Sequence, residues 1–248
     1  FMFAGTDEFN QNIDNWDTGS VTNFARMFRQ AAVFNQPLNS WDVSSATDMS
    51  QMFSYAEAFD RPLNNWNVAS VTDMSDMFQN TAAFNQNINT WEVGNVTTMA
   101  NMFERAAVFD QPLNSWNVSS VNTMQFMFNG ASAFNQPLDS WNVSAVTNMR
   151  STFSGATNFN QNIDSWNVTN VTTMSYMFSY ALSFNQPLNS WDVNSVVNMS
   201  GMFRGAEAFD QPLDNWNVSA VANMSNMFEN AILFSQPINI WNVSSVTL

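Results

Sequence analysis

The stretch Phe34–Trp41 reads FNQPLNSW, and Phe184–Trp191 repeats it letter for letter. Phe109–Trp116 is a near copy, FDQPLNSW. The phrase holds no catalytic constellation, so its recurrence points to architecture. Extended outward, it exposes a period of 25 residues without insertion or deletion. All ten tryptophans lie on that period, from Trp16 to Trp241, as do two ten-membered phenylalanine columns, Phe3 to Phe228 and Phe9 to Phe234. The seven prolines share one column, Pro37 to Pro237. The consensus is F-[ND]-Q-P-L-[ND]-x-W-x-V-x-x-V-x-x-M-x-x-M-F-x-x-A. A fixed period of this length marks a repeat stack, because no single unit can bury its apolar residues without neighbours.

Local spacing suggests how one unit winds. Leu63-x-x-Trp66-x-Val68-x-x-Val71 has the spacing of a leucine-rich-repeat core, with Trp in a Leu slot and Val where Asn is usual. Trp66 and Val68, two apart, predict a short parallel strand pointing them inward. Val71, Met74, Met77, Phe78, Thr81 and Ala82 then predict one face of a short helical or 3₁₀ segment. The expected fold is a leucine-rich-repeat-like solenoid of ten such coils, a single continuous unit over residues 1–248 and on the order of 50 Å long. Proline fixes φ and lacks a donor, so its column belongs at a bend. Asn12, Asn87 and Asn162 interrupt that column, and Ile13, Ile88 and Ile163 follow them, which records duplication of a three-coil block. The residue two before Trp is Asn or Asp in every coil, which suits a side-chain-bonded turn or an amide ladder between coils. The sequence opens and closes in mid-pattern without visible caps, so it reads as an excerpt of a longer array or as a unit stacking head to tail.

Composition narrows the chemistry. There is no Cys or His, all six basic residues are Arg, and the net charge is -14. That balance repels phosphate backbones, so no nucleic-acid partner is expected. No apolar run approaches the roughly 20 residues of a membrane-spanning helix. Without His, Cys or Lys, most nucleophilic and acid–base schemes have no residues to run on, and a non-enzymatic protein is expected. Asp73 and Asp76 are the closest carboxylate pair, placed on one face of the expected helix, where a solvated surface accounts for them.

The pattern W-[DN]-V-S-S-V-T-x-M-S-x-M-F-x-x-A-x-x-F-N-Q, followed closely from Trp41 to Phe59 and from Trp116 to Gln136, resembles the BspA-like repeats of bacterial surface proteins. The resemblance implies a leucine-rich-repeat-like fold, a cell-surface or extracellular location, and adhesion to host or matrix, with no catalytic site. Thr18 and Ala46 replace Val and Phe24 and Thr152 replace Met, which predicts local repacking.

The surface carries the remaining candidates. The residue after each Trp should face outward from its strand: Asp17, Asp42, Asn67, Glu92, Asn117, Asn142, Asn167, Asp192, Asn217 and Asn242. With the small polar residues preceding Trp (Ser40, Asn65, Thr90, Ser115), this column forms a strip suited to an extended protein or polysaccharide ligand. The alternative partner is the chain itself, in a filament. No cofactor is expected; calcium is the one metal whose oxygen ligands the strip supplies, though its acids are not grouped. Asn-x-Ser/Thr occurs at Asn95, Asn117, Asn142, Asn167, Asn170, Asn198, Asn217, Asn223 and Asn242. Asn95, Asn117, Asn142, Asn167, Asn217 and Asn242 are the candidate glycan acceptors, although W-N-V-S arises from the repeat consensus alone. Outside the core columns the aromatics are Phe1, Phe126 and Tyr176 in one column and Tyr55 and Tyr180 in another. None has an aromatic neighbour in the next coil, so no aromatic platform is expected.

Overall fold

The computed structural model describes residues 2–247, leaving Phe1 and Leu248 outside the described residues. The chain is a stack of coils in register. Single-residue parallel bridges join equivalent positions of successive coils, from Asn23↔Asp48 through Asn198↔Asn223. Among the described residues there is no helix, and these isolated bridges are the only β pairing. The expected leucine-rich-repeat-like coil, with a strand at Trp66–Val68 and a helical segment after Val71, is therefore wrong in both elements.

The helix fails because the backbone takes another route. In the coil around Met174, the N–H groups of Met174, Tyr176, Phe178 and Tyr180 donate forward to the carbonyls of Asn198, Ser200, Met202 and Arg204, at 2.7–2.9 Å. The N–H groups between them, of Met177, Ser179 and Ala181, donate back three residues, to Met174, Tyr176 and Phe178. Donors thus alternate between the next coil and a tight turn. Two of these turns need a positive φ at their third residue, as in type II turns: Tyr176 has φ 57° and Tyr180 φ 55°. The same two positions are left-handed in coil after coil, for example Gln51 and Tyr55, Asp76 and Asn80, and Gly201 and Gly205. Left-handed residues every four positions rule out a right-handed helix. The turns still aim residues three and four apart inward, so the apolar spacing imitates a helical stripe.

The strand fails for a related reason. Around Trp191 and Val193 the backbone donors close local turns, Trp191 N to Leu188 O at 3.1 Å and Val196 N to Val193 O at 3.0 Å. Side chains do the inter-coil bonding there instead. From Trp41 onward each indole Nε1 donates to the carbonyl three residues before the preceding coil's Trp, as in Trp216 to Leu188 at 2.9 Å and Trp91 to Leu63 at 3.0 Å. One residue after the second Phe column, Asn or Asp accepts two bonds from the following coil. Asn160 Oδ1 takes the N–H of Asn185 at 2.9 Å and Nε2 of Gln186 at 3.0 Å. The column two before Trp also fastens coils: Asn189 Oδ1 accepts from Asn215 N at 3.0 Å, and its Nδ2 donates to Asp214 at 2.8 Å. Where proline is missing, Asn12, Asn87 and Asn162 fold their own Oδ1 onto the N–H two residues on, at 2.9–3.0 Å. A side-chain turn thereby replaces the rigid ring.

The core is three aromatic ladders. Phe178 and Phe184 stack within one coil at 4.0 Å, and each meets its equivalent in the next, Phe203 at 5.7 Å and Phe209 at 6.0 Å. Trp191 and Trp216 lie 6.5 Å apart and nearly parallel. Such pairs each add about 1 kcal/mol beyond their burial. The departures from consensus repack without forming a site. Buried Thr18 gives its hydroxyl to the Asp42 carbonyl, and buried Thr152 to those of Met124 and Met149. Phe24 packs on Trp41.

Candidate interaction surface

All ten residues that follow Trp are exposed. In nine of them the short side chain folds its Oδ1 onto the N–H two residues on. Examples are Asp42 to Ser44 at 2.9 Å, Asn67 to Ala69 at 3.1 Å and Asp192 to Asn194 at 3.1 Å. The turn needs an oxygen one carbon from Cβ, which both Asn and Asp supply, so the column alternates freely between them. One atom of each side chain is thus structural, and the other remains on the surface. At Asp42 the Ser44 hydroxyl adds a second donor at 2.6 Å, and these bonds hold the carboxyl below its ordinary range.

Glu92 is the exception. Its longer side chain makes no such turn, and no hydrogen bond from it is present among the described residues. Gly94 stands two residues on, and a Cβ there would sit 3.3 Å from Asn117 Nδ2. Together they open a shallow groove of about 630 Å³ lined by Asn89, Thr90, Glu92, Gly94, Asn95 and Asn117. The residues preceding Trp border the strip but are tied down, Ser40 through its hydroxyl to Asp14 O and Thr90 to Asn64 O. Asp17 and Asp42 stand in adjacent coils, and among the described residues no third acidic side chain joins them.

Asp73 and Asp76 do not share a helical face. Asp73 accepts from the N–H and hydroxyl of Ser75 at 2.8 and 2.6 Å. Asp76 is left-handed and half-buried; burial raises its carboxyl's pKa, against hydrogen bonds from Asn101 and Gln51. No helix among the described residues is long and apolar enough to cross a membrane.

On the opposite edge, the aromatics outside the core find partners that the sequence reading did not foresee. The Tyr176 and Tyr180 rings lie over Gly201 and Gly205 of the next coil, where an added Cβ would meet them at 2.3 and 2.6 Å. Arg204 lies over the Tyr180 ring at 5.8 Å and pairs with Glu229 at 2.9 Å, outside hydrogen-bond geometry. Arg150 covers Phe126. Phe1, assigned to the same column, lies outside the described residues. The signal for these left-handed positions was present in the sequence: Gly5, Gly130, Gly155 and Gly205 share one column with Asn80 and Asn230.

A family model described as "Mycoplasma protein of unknown function, DUF285" matches residues 1–91, 62–166 and 150–248, which together span the chain. No curated protein matches it.

Proposed function

We propose, for a chain that belongs to this DUF285 family of Mycoplasma proteins of unknown function, a non-enzymatic role as a cell-surface or extracellular scaffold that binds an extended protein or polysaccharide. One observation carries the reading: every coil puts an exposed Asn, Asp or Glu at the same place after Trp, and in nine of the ten a side-chain turn locks it. A ligand with its own repeat meets that column over many coils at once, and weak contacts add by multivalency. The groove at Glu92 lies in the strip where the side-chain turn is missing, and fits the anchoring contact. The likeness of the W-[DN]-V-S-S-V pattern to BspA-like adhesins supports the location. The test is full-chain binding to arrays of polysaccharides and matrix proteins, repeated with Glu92→Gln and Asn67→Ser. Binding weakened by both substitutions supports the reading, and an absence of binding across both arrays ends it.

A further inference from the structure

The nine Asn-x-Ser/Thr sites are alike in sequence, and the structure divides them. Asn117, Asn142, Asn167, Asn217 and Asn242 stand in the exposed column after Trp. Each holds its Oδ1 against the N–H of its own Ser or Thr two residues on, at 3.1–3.2 Å. That turn keeps the Ser or Thr of the acceptor triplet beside the amide. At Thr169 the hydroxyl also donates to Asn167 Oδ1.

The amide nitrogens then differ in what they already do. Among the described residues, Nδ2 of Asn117, Asn142, Asn167 and Asn242 donates to no partner. Asn217 Nδ2 donates to the side chain of Asn194 at 2.6 Å. The Nδ2 groups of Asn95 and Asn170 tie coils together, donating to the carbonyls of Ala69 and Ser144 at 2.8 Å. Asn198 and Asn223 are half-buried in the parallel bridge that joins them.

We propose that Asn117, Asn142, Asn167 and Asn242 are acceptors for N-linked sugar, and that Asn95, Asn170, Asn198 and Asn223 are not. Occupancy in the cell rests on the surface location proposed above. In the transfer, Nδ2 forms a bond to C1 of a sugar carried on a phosphate leaving group. The C1–O bond breaks with its electron pair going to the phosphate, and the proton lost from Nδ2 passes to a basic group of the transferase and from there to solvent. At the four free amides no bond of the stack is given up, and at Asn117 the Glu92 groove leaves room for the first sugar. Asn217 is intermediate, because only a side-chain contact must be released. Neighbouring coils are about 4.8 Å apart, tighter than a sugar ring, so Asn117, Asn142 and Asn167 compete and modification of one lowers that of the next.

The experiment treats the folded full chain with a soluble asparagine hexosyltransferase and a nucleoside-diphosphate hexose, with site occupancy read by peptide mass spectrometry. Unfolded chain run in parallel shows which sites the transferase accepts on sequence alone. In the folded protein, occupancy at Asn95 and Asn170 should fall about tenfold below the four, the ratio expected when a backbone hydrogen bond must first be released. Ala69→Ser completes an acceptor triplet at Asn67 in the same exposed turn and should create a new site. Folded chain unmodified at all four while unfolded chain is modified there, or equal modification of Asn95 and Asn170, overturns the proposal. Because binding is not measured, its failure is separate from any failure of the scaffold reading.

Discussion

The two edges of the stack are joined by different chemistry, and their sequences differ accordingly. On the turn edge, residues 174–181 and their equivalents, backbone donates to backbone between coils. There the left-handed positions accept Arg, Gln, Asp, Asn, Phe, Ser, Tyr and Gly. On the tryptophan edge, side chains make the inter-coil bonds, and the columns scarcely vary. Trp is invariant, Gln gives way only to Arg61, and the acceptor beside it is Asn or Asp until Ser235. Near-identity within this chain therefore marks where side chains hold coils together. Read this way, FNQPLNSW is mostly a fastening phrase, its Asn35, Gln36, Asn39 and Trp41 each bonding across coils.

Substitutions on the two edges should break or sharpen this contrast. Trp141→Phe removes the donor to the Leu113 carbonyl at 2.9 Å and part of a buried ring, and should cost about 3 kcal/mol in urea unfolding. Asn135→Ala strands the N–H of Asn160 and leaves the Gln161 amide only the Asn135 backbone carbonyl at 3.1 Å, an expected loss of about 1–2 kcal/mol. Asn135→Asp should change little, because Asp110 holds the same two partners one coil earlier. On the turn edge, Gly205→Ala meets both a φ of +65° and the Tyr180 ring, and should lose about 1–2 kcal/mol. Tyr55→Gly, at φ 61°, should gain about 0.5 kcal/mol as relief of left-handed strain outweighs added chain entropy. A matching loss for Tyr55→Gly would show that this edge depends on its side chains after all.

The smallest effect concerns Asp76. Burial, with Glu104 and Asp73 nearby, raises its pKa, so the folded state binds its proton more tightly than the unfolded state does. The resulting stability is complete below the unfolded pKa and is lost as pH rises through the folded value. Asp76→Asn should therefore raise Tm by on the order of 1–2 °C at pH 7 and give no gain at pH 3, followed by circular dichroism.

Much of the molecule was legible in its letters. The period, the three aromatic columns and the outward column after Trp all follow from spacing and polarity, because stacking forces equivalent residues into equivalent surroundings. The coil's internal path did not follow. Val71, Met74, Met77 and Phe78 have helical spacing, yet tight turns with left-handed third residues present the same face. Spacing reports which side chains point inward and is silent on which carbonyl each N–H reaches. The candidate strip shows the same division: its exposure was readable from Asp42 and its equivalents. That Asn117 has a free amide nitrogen while Asn95 has spent its own depends on a carbonyl in the preceding coil, 26 residues away. Sequence determined what each coil must bury. Only the packed stack decided where each hydrogen bond goes, since its donors and acceptors meet across neighbouring coils that no local pattern describes.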